Sequence, residues 1–278
     1  MDDQLGRIRR AYDQDPEREW ARLETGAQNR LEYLVTASAL ERHLRPPDPV
    51  GRILDAGGGP GRYTIWLASR GHRVTLLDLS PNLLSLARDR IAAAGADVAR
   101  QVESIVEGSF TDLSVFPDAS FDAVLCLGGA LSHLIEPDQP RRAIAELRRV
   151  ARPGALLFIS ALNYIGAFRA VVQWWRDDQT IRLFRRLRES QVLDIGGDAA
   201  PAYFFRPEEF VALLAETGLV VERLYGAEGI GAHLQEERLL ALMEDREVWP
   251  LWRETLLATA DHPSVVGVAR SLLAVARR

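Results

Sequence analysis

Hydrophobic positions along this chain change their period near residue 50. Before it, Leu31, Leu34, Ala37, Leu40 and Leu44 recur at three- and four-residue steps, which places them on one helix face and makes residues 1–50 a helical segment. The run Arg45-Pro46-Pro47-Asp48-Pro49 stops that helix, because proline cannot continue it and restricts the residue before it. Beyond it, short apolar runs alternate with amphipathic stretches. Arg52 to Ala56 reads as a buried strand, followed by a glycine turn and a helix over about 63–70. Arg73 to Asp78 is a second strand, after which Ser80 caps a helix carrying Leu83, Leu84, Leu86 and Ala87. Residues 101–107 and 121–127 are further strands, a helix spans about 138–151, and Arg152-Pro153-Gly154 turns into the apolar strand Ala155 to Ile159. This alternation predicts an α/β fold, a mostly parallel sheet with helices on both faces.

Two stretches break the rhythm. Residues 161–202 are rich in Arg and Trp and read as helical, and residues 226–265 hold Trp249, Trp252 and an amphipathic run from Leu234 to Met243. Between them Arg206-Pro207-Glu208-Glu209-Phe210 opens a helix with proline at its start, and Leu219 to Leu224 forms a strand. Ser271 to Ala276 reads as the last strand. The expected organisation is a helical cover over 1–50 and a single sheet domain over 51–278 that carries lid insertions at 161–202 and 226–265.

Composition narrows the chemistry. All 34 basic residues are arginine, so no mechanism that needs an internal lysine applies, neither a Schiff base nor a phosphate-loop or kinase-type nucleotide site. The net charge of −5 is not that of an obvious nucleic-acid binder. No apolar stretch approaches the roughly 18 residues of a membrane span, and the first residues lack the basic and apolar parts of a secretory signal. Cys126, the single cysteine, fits a reducing cytoplasm and a small core residue; the five scattered histidines have no metal-ligand spacing, so no metal is expected.

The glycine turn is the first candidate site. Asp55-Ala56-Gly57-Gly58-Gly59-Pro60-Gly61 joins the first strand to a helix, where glycines allow close approach of a ligand and the helix start offers free N–H groups. Asp78 follows Gly57 by 21 residues at the end of the second strand, where a carboxylate can accept hydrogen bonds from both hydroxyls of a ribose. Together they predict an adenosine-containing ligand. The dinucleotide fingerprint fails, because its third glycine position is Arg62.

The D-x-G-x-G-x-G run instead resembles the first motif of class I S-adenosylmethionine-dependent methyltransferases. Leu76-Leu77-Asp78-Leu79-Ser80 resembles their ribose motif, Asp122 to Leu127 their fourth-strand motif, and Leu147 to Gly154 their helix-to-fifth-strand motif, in order over residues 50–160. The resemblance implies a Rossmann-like seven-stranded sheet with an antiparallel last strand, S-adenosylmethionine as cofactor, and methyl transfer to a small-molecule acceptor at O, N or C. It further implies that Asp55, Gly57 and Gly59 line the methionine and ribose side, that Asp78 holds the ribose, that Leu79 lies under the adenine with Ser109 and Phe110 at its edge, and that Leu127 and Gly128 lie near the transferred methyl. Ser109 departs from the aspartate common at that place. Arg30 and Arg22 are candidates for the methionine carboxylate.

In-line methyl transfer asks mainly for orientation, and for a base only when the acceptor must lose a proton. His133, just after the fourth strand in Gly128-Gly129-Ala130-Leu131-Ser132-His133, is the candidate catalytic base, with Tyr164 and Tyr203 behind it and His233 and His262 further back. Phe168, Trp174 and Trp175, with Arg169 and Arg176, either wall the acceptor or pack the core. Two alternatives stay open. A weaker resemblance to bacterial enzymes that methylate a carboxymethoxy group on wobble uridine would use Arg182, Arg185, Arg186 and Arg188, or Arg141, Arg142, Arg148 and Arg149, on RNA phosphates. A non-catalytic regulator that binds S-adenosylmethionine is the other. The acceptor's identity and the oligomeric state are left open.

Overall fold

Buried apolar runs pair edge to edge because burial on both faces leaves their backbone groups only each other to bond. This computed structural model describes residues 2–44, 51–173, 178–197 and 199–278; the proline stop at 45–49 and Trp174, Trp175 and Arg176 lie outside them. The strands are β1 (Arg52–Ala56), β2 (Arg73–Asp78), β3 (Val102–Glu107), β4 (Phe121–Cys126), β5 (Ala151–Leu162), β6 (Val192–Leu193), β7 (Ala202–Tyr203), β8 (Val220–Gly226) and β9 (Ser271–Arg277). Seven of them form one sheet in the order β3-β2-β1-β4-β5-β9-β8, while β6 and β7 make a separate two-stranded hairpin. Strands β1 to β5 are parallel to one another, and β9 runs antiparallel to both β5 and β8. The expected sheet with its antiparallel last strand is therefore present.

The helices are α1 (Asp2–Asp13), α2 (Pro16–Ala21), α3 (Ala27–His43), α4 (Arg62–Ala68), α5 (Pro81–Ala93), α6 (Ala96–Gln101), α7 (Gln139–Val150), α8 (Tyr164–Gln173), α9 (Asp178–Ser190), α10 (Pro207–Glu216), α11 (Glu236–Glu244), α12 (Val248–Thr259) and α13 (Pro263–Val268). One face of the sheet packs on α7 and α10 through Ile144, Leu147, Phe210 and Leu214. The other packs on α3, α4, α11 and α12 through Leu31, Leu40, Trp66, Leu239 and Leu256. The face of α3 is rotated from the leucine pattern: Ala27, Leu31, Val35, Ala39 and Leu40 are buried, whereas Leu34, Ala37 and Leu44 are only partly covered. Small residues let that helix approach the sheet, a term that leucine spacing alone does not carry.

Strand order reverses at β1, which has β2 on one side and β4 on the other. The loops leaving their carboxyl ends diverge there and open a crevice, the usual ligand position in such sheets. The loop after β4 is tied to β5 at two points. The Gly129 N–H donates to Ser160 Oγ at 2.8 Å, and the Leu162 N–H donates to Ser132 Oγ at 2.8 Å. A short 3-10 turn, Ala130–His133, thereby presents its last residue at a set position. The insertion at 161–202 is not helical throughout, since it begins inside β5 and ends in the β6–β7 hairpin, whose strands are too short to read as an alternation. Ser160→Ala would leave the buried Gly129 N–H without its acceptor, and chemical denaturation should show about 1–3 kcal/mol of lost stability. An unchanged midpoint would mean that this bond does not anchor the loop.

Candidate active site

From β1 to α4 the chain turns within Gly57-Gly58-Gly59-Pro60-Gly61. Gly57, Gly59 and Gly61 all have positive φ, at 74°, 55° and 84°, where a side chain would be strained. Gly58 is needed for a different reason: a Cβ there would stand 2.5 Å from both Asp55 Oδ2 and Leu76 Cδ1. The turn folds back on β2, with the Gly57 N–H on the Leu77 carbonyl at 2.7 Å and the Gly59 N–H on Asp78 Oδ2 at 2.8 Å.

Two carboxylates end up beneath this turn. Asp78 accepts the Ser80 N–H on Oδ1 at 2.9 Å as well as Gly59 on Oδ2, and Ser80 itself caps α5, its Oγ accepting from the Leu83 N–H at 3.0 Å. Burial nevertheless pushes Asp78 up to about 6, against the pull of the Ser80 and Gly59 N–H groups. Asp55 is fully buried at the tip of β1 and accepts a 2.7 Å bond from Thr64 Oγ1 on Oδ2. Its Oδ1 has no hydrogen-bond partner among the described residues, and burial raises it too to about 6. Neighbouring buried carboxylates with an unmatched oxygen are set to receive donors from a ligand.

One cleft gathers Asp55, Gly57, Gly59, Asp78, Leu79, Ser109, Phe110, Leu127, Gly128 and His133. Its floor is narrow at Gly57, where a Cβ would meet Ala130 at 3.3 Å and the Phe110 ring at 3.6 Å. Ser109 Oγ is engaged with Thr111, at 2.8 Å to its hydroxyl and 3.2 Å to its N–H.

Arg30 is the exception. It lies on the exposed side of α3, its Nε donating to the Glu24 carbonyl at 2.7 Å, outside the cleft. Arg22, the other candidate, is inside it. It lines the cleft, donates to Glu19 at 2.8 Å and to Glu32 at 3.3 Å, and packs so closely on the loop after β4 that a Cβ at Gly128 would meet its Nη2 at 3.2 Å. Burial opposes its charge, but Glu32 and Glu19 outweigh that and hold it protonated.

The cleft's cover comes from α1, which contributes Leu5, Ile8, Arg9 and Tyr12. None of these residues stands out in the motifs read from the sequence; the three- and four-residue spacing of Leu5, Ile8 and Tyr12 is the signal that could have found that face. The insertion residues do something else: Phe168 packs on Tyr164, Phe184 and Leu187, and Tyr203 donates its hydroxyl to Glu209. Tyr164 lies under Arg206, and neither tyrosine lines the cleft. Cys126 is a buried core residue whose thiol burial pushes up to about 12. Among the described residues no group of three His, Cys, Asp or Glu could hold a metal ion, and no helix is long and apolar enough to cross a membrane.

His133 is half-buried with both ring nitrogens engaged. Nδ1 lies 2.8 Å from the Pro201 carbonyl and Nε2 lies 2.7 Å from the Tyr12 hydroxyl. A carbonyl only accepts, so Nδ1 carries the proton and Nε2 keeps its lone pair for the phenol to donate into. Burial lowers the pKa of the ring, so it is neutral at pH 7.

The buried carboxylates make stability depend on pH in a stated direction. A carboxyl whose folded pKa exceeds its unfolded value binds more protons when folded, so it costs stability as pH rises from about 4 to about 6. Asp78→Asn should remove that cost, and urea unfolding should show the variant gaining on the parent between pH 4 and pH 7. A pH-independent difference would contradict the burial.

Residues 54–159 match the methyltransferase domain family. The chain is 31% identical over 197 residues to the ubiquinone biosynthesis O-methyltransferase of Xanthomonas euvesicatoria pv. vesicatoria, covering 71% of each protein. It is 32% identical over 180 residues to the enzyme of that description from Xanthomonas axonopodis pv. citri, covering 64% of this chain and 67% of the relative, while the match to the Xanthomonas campestris enzyme spans 49% of that relative's length. In fold it is similar to the crystal structure of Burkholderia thailandensis 1,6-didemethyltoxoflavin-N1-methyltransferase with bound S-adenosylhomocysteine, at a TM-score of 0.55 and 18% identity over 100% of this chain and 89% of that one. With seven strands in this order, a glycine turn over two buried carboxylates, and a relative matched over 71% of its length, the chain belongs to the class I S-adenosylmethionine-dependent methyltransferases.

Proposed function

We propose that this enzyme methylates a hydroxyl on a small, largely apolar aromatic acceptor, with His133 as the base. The observation that carries the reading is the His133 ring, held as the Nδ1–H form by Pro201 with its Nε2 lone pair already accepting from a phenol. A base of this kind matters only for an acceptor that must lose a proton, and the apolar part of the cleft lining, with Leu5, Ile8 and Leu134, suits an apolar ring. The names of the Xanthomonas relatives agree with oxygen as the acceptor atom.

The residues fit the donor. Asp78 would take the ribose hydroxyls in place of backbone donors, and Leu79, Ser109 and Phe110 would border the adenine. Asp55, with its unmatched oxygen, and the backbone of Gly57 and Gly59 would face the methionine and ribose side. Arg22 would hold the methionine carboxylate and Glu19 beside it the ammonium, which replaces Arg30 in that role. Leu127 and Gly128 would lie beside the methyl. S-adenosylmethionine supplies a sulfonium-activated methyl; the chain's part is to orient it, exclude water under α1 and accept a proton at His133 Nε2.

Several arginines that would serve RNA phosphates are engaged within the fold: Arg141 with Glu216, Arg149 with Glu146 and Asp118, Arg148 with the Gly218 carbonyl and Arg186 with the Asp194 carbonyl. That supports the small-molecule reading over nucleic acid, and a cytoplasmic setting accords with the single, buried Cys126.

Calorimetry with S-adenosylhomocysteine should show Asp78→Ala binding roughly 10–100-fold more weakly, the loss of a charged hydrogen-bond partner. Turnover of a catechol panel should rise with pH along a limb centred below 6.5, because protonating Nε2 removes the base. His133→Asn should abolish that limb and lower kcat roughly 10²–10⁴-fold with cofactor affinity intact. Equal activity of the Asn variant, or preference for amines in the panel, would refute the assignment.

A further inference from the structure

We propose that Tyr12 is the group that touches the acceptor and relays its proton to His133. The inference rests on the reading of His133 as base. Nothing in the glycine turn or the strand motifs points to Tyr12; it comes from α1, far away in sequence, and only the closed fold brings it to the ring. Its hydroxyl sits 2.7 Å from His133 Nε2, with the two rings edge to face at 5.5 Å, so an acceptor entering the cleft finds the base already occupied by a phenol.

The position of Tyr12 is built rather than incidental. One turn earlier Arg9 pairs with Glu107 at 3.3 Å, and one residue later Asp13 accepts from the Ser80 hydroxyl and from the Asn82 N–H at 3.3 Å. At the other end of α1, Gln4 donates to the His133 carbonyl at 2.7 Å and Arg7 donates to Asp194 at 2.8 Å. The helix is thus pinned on both sides of the cleft, and the residue between the pins is the one aimed at the base.

The acceptor oxygen forms its bond to the methyl carbon while the carbon–sulfur bond breaks and leaves its electron pair on sulfur. The acceptor's hydroxyl proton passes to Tyr12 Oη as the proton of Tyr12 passes to His133 Nε2. The imidazolium that results keeps its Nδ1–H on Pro201 and releases its new proton to solvent after the product leaves. Tyr12 is suited to a relay and not to a standing base, because burial, with Glu19 and Asp78 nearby and Arg22 opposing them, keeps the phenol protonated. The charged groups near the His133 ring act in one sense only, Glu19 favouring its protonated form.

Tyr12→Phe keeps the ring that packs the cleft and removes only the hydroxyl. The variant should bind S-adenosylhomocysteine as the parent does, while kcat toward a catechol falls at least about tenfold with KM little changed. In the cofactor-free protein, nitrogen-15 NMR of the imidazoles should show His133 as the Nδ1–H form, with a higher pKa in the Phe variant, because the phenol's hydrogen bond favours the neutral ring. The double variant Tyr12→Phe with His133→Asn should be no slower than His133→Asn alone, since both residues serve one proton path. A Phe variant with parental kcat, a faster one, which would mark the hydroxyl as a plug, or losses that multiply in the double variant would each overturn the relay. Loss of cofactor binding in the Phe variant would make Tyr12 a lid contact only and overturn it as well. Should His133→Asn be fully active, the base reading itself fails and the relay with it; should His133→Asn be slow and Tyr12→Phe normal, only the relay fails.

Discussion

Burying two carboxylates at neighbouring strand tips is the constraint around which the rest of this molecule is arranged. Asp55 and Asp78 would each be far better solvated outside, and the backbone N–H groups of Gly59 and Ser80 and the hydroxyl of Thr64 offset part of that loss. The compensation is incomplete, since both groups are raised to about 6 and one oxygen of Asp55 has no partner among the described residues. The glycine turn follows from the same requirement: three positive-φ positions aim its N–H groups inward, and the missing side chain at Gly58 leaves room for Asp55 itself. On the proposed reading, a ligand rich in hydroxyl and ammonium donors would supply what the fold withholds, so that stability and binding would draw on the same atoms.

Closure of the cleft is an arginine problem. In a chain without lysine, planar guanidinium groups that can stack as well as pair hold the helical cover to the sheet domain. Arg62 lies 4.1 Å over the Trp20 ring and Arg90 lies 4.9 Å from it, so a residue in the last turn of α2 is gripped from α4 and α5 together. Arg22 bridges Glu19 and Glu32 beside the loop after β4. These contacts are dispersed along the sequence, yet they converge on the rim of one crevice.

How far the sequence reaches is clear from particular residues. The strands from β1 to β5 were legible because runs such as Ile53-Leu54 and Val124-Leu125 are short, apolar and bounded by turn residues, and the sheet buries them on both faces. Asp55, Gly57, Gly59 and Asp78 were legible because local spacing alone ties a turn to the next strand tip. Arg30 and Arg22 could not be told apart in this way. They lie eight positions apart, and which one faces the crevice depends on the break at Gly26, where φ of 80° redirects the chain between α2 and α3. The β6–β7 hairpin is too short to leave a period, and its effect, placing the Pro201 carbonyl on His133, is felt 68 residues away.

From its residues alone the chain determined a parallel sheet, a glycine turn and an acidic partner for it, because each of these is a relation among near neighbours that backbone sterics and burial decide locally. Tertiary structure decided which helix closes the crevice, which arginine enters it and which tautomer His133 adopts. Those outcomes turn on contacts between α1, the loop after β4 and the strand pair near residue 201, segments that share no local pattern and meet only when the sheet brings them to one edge.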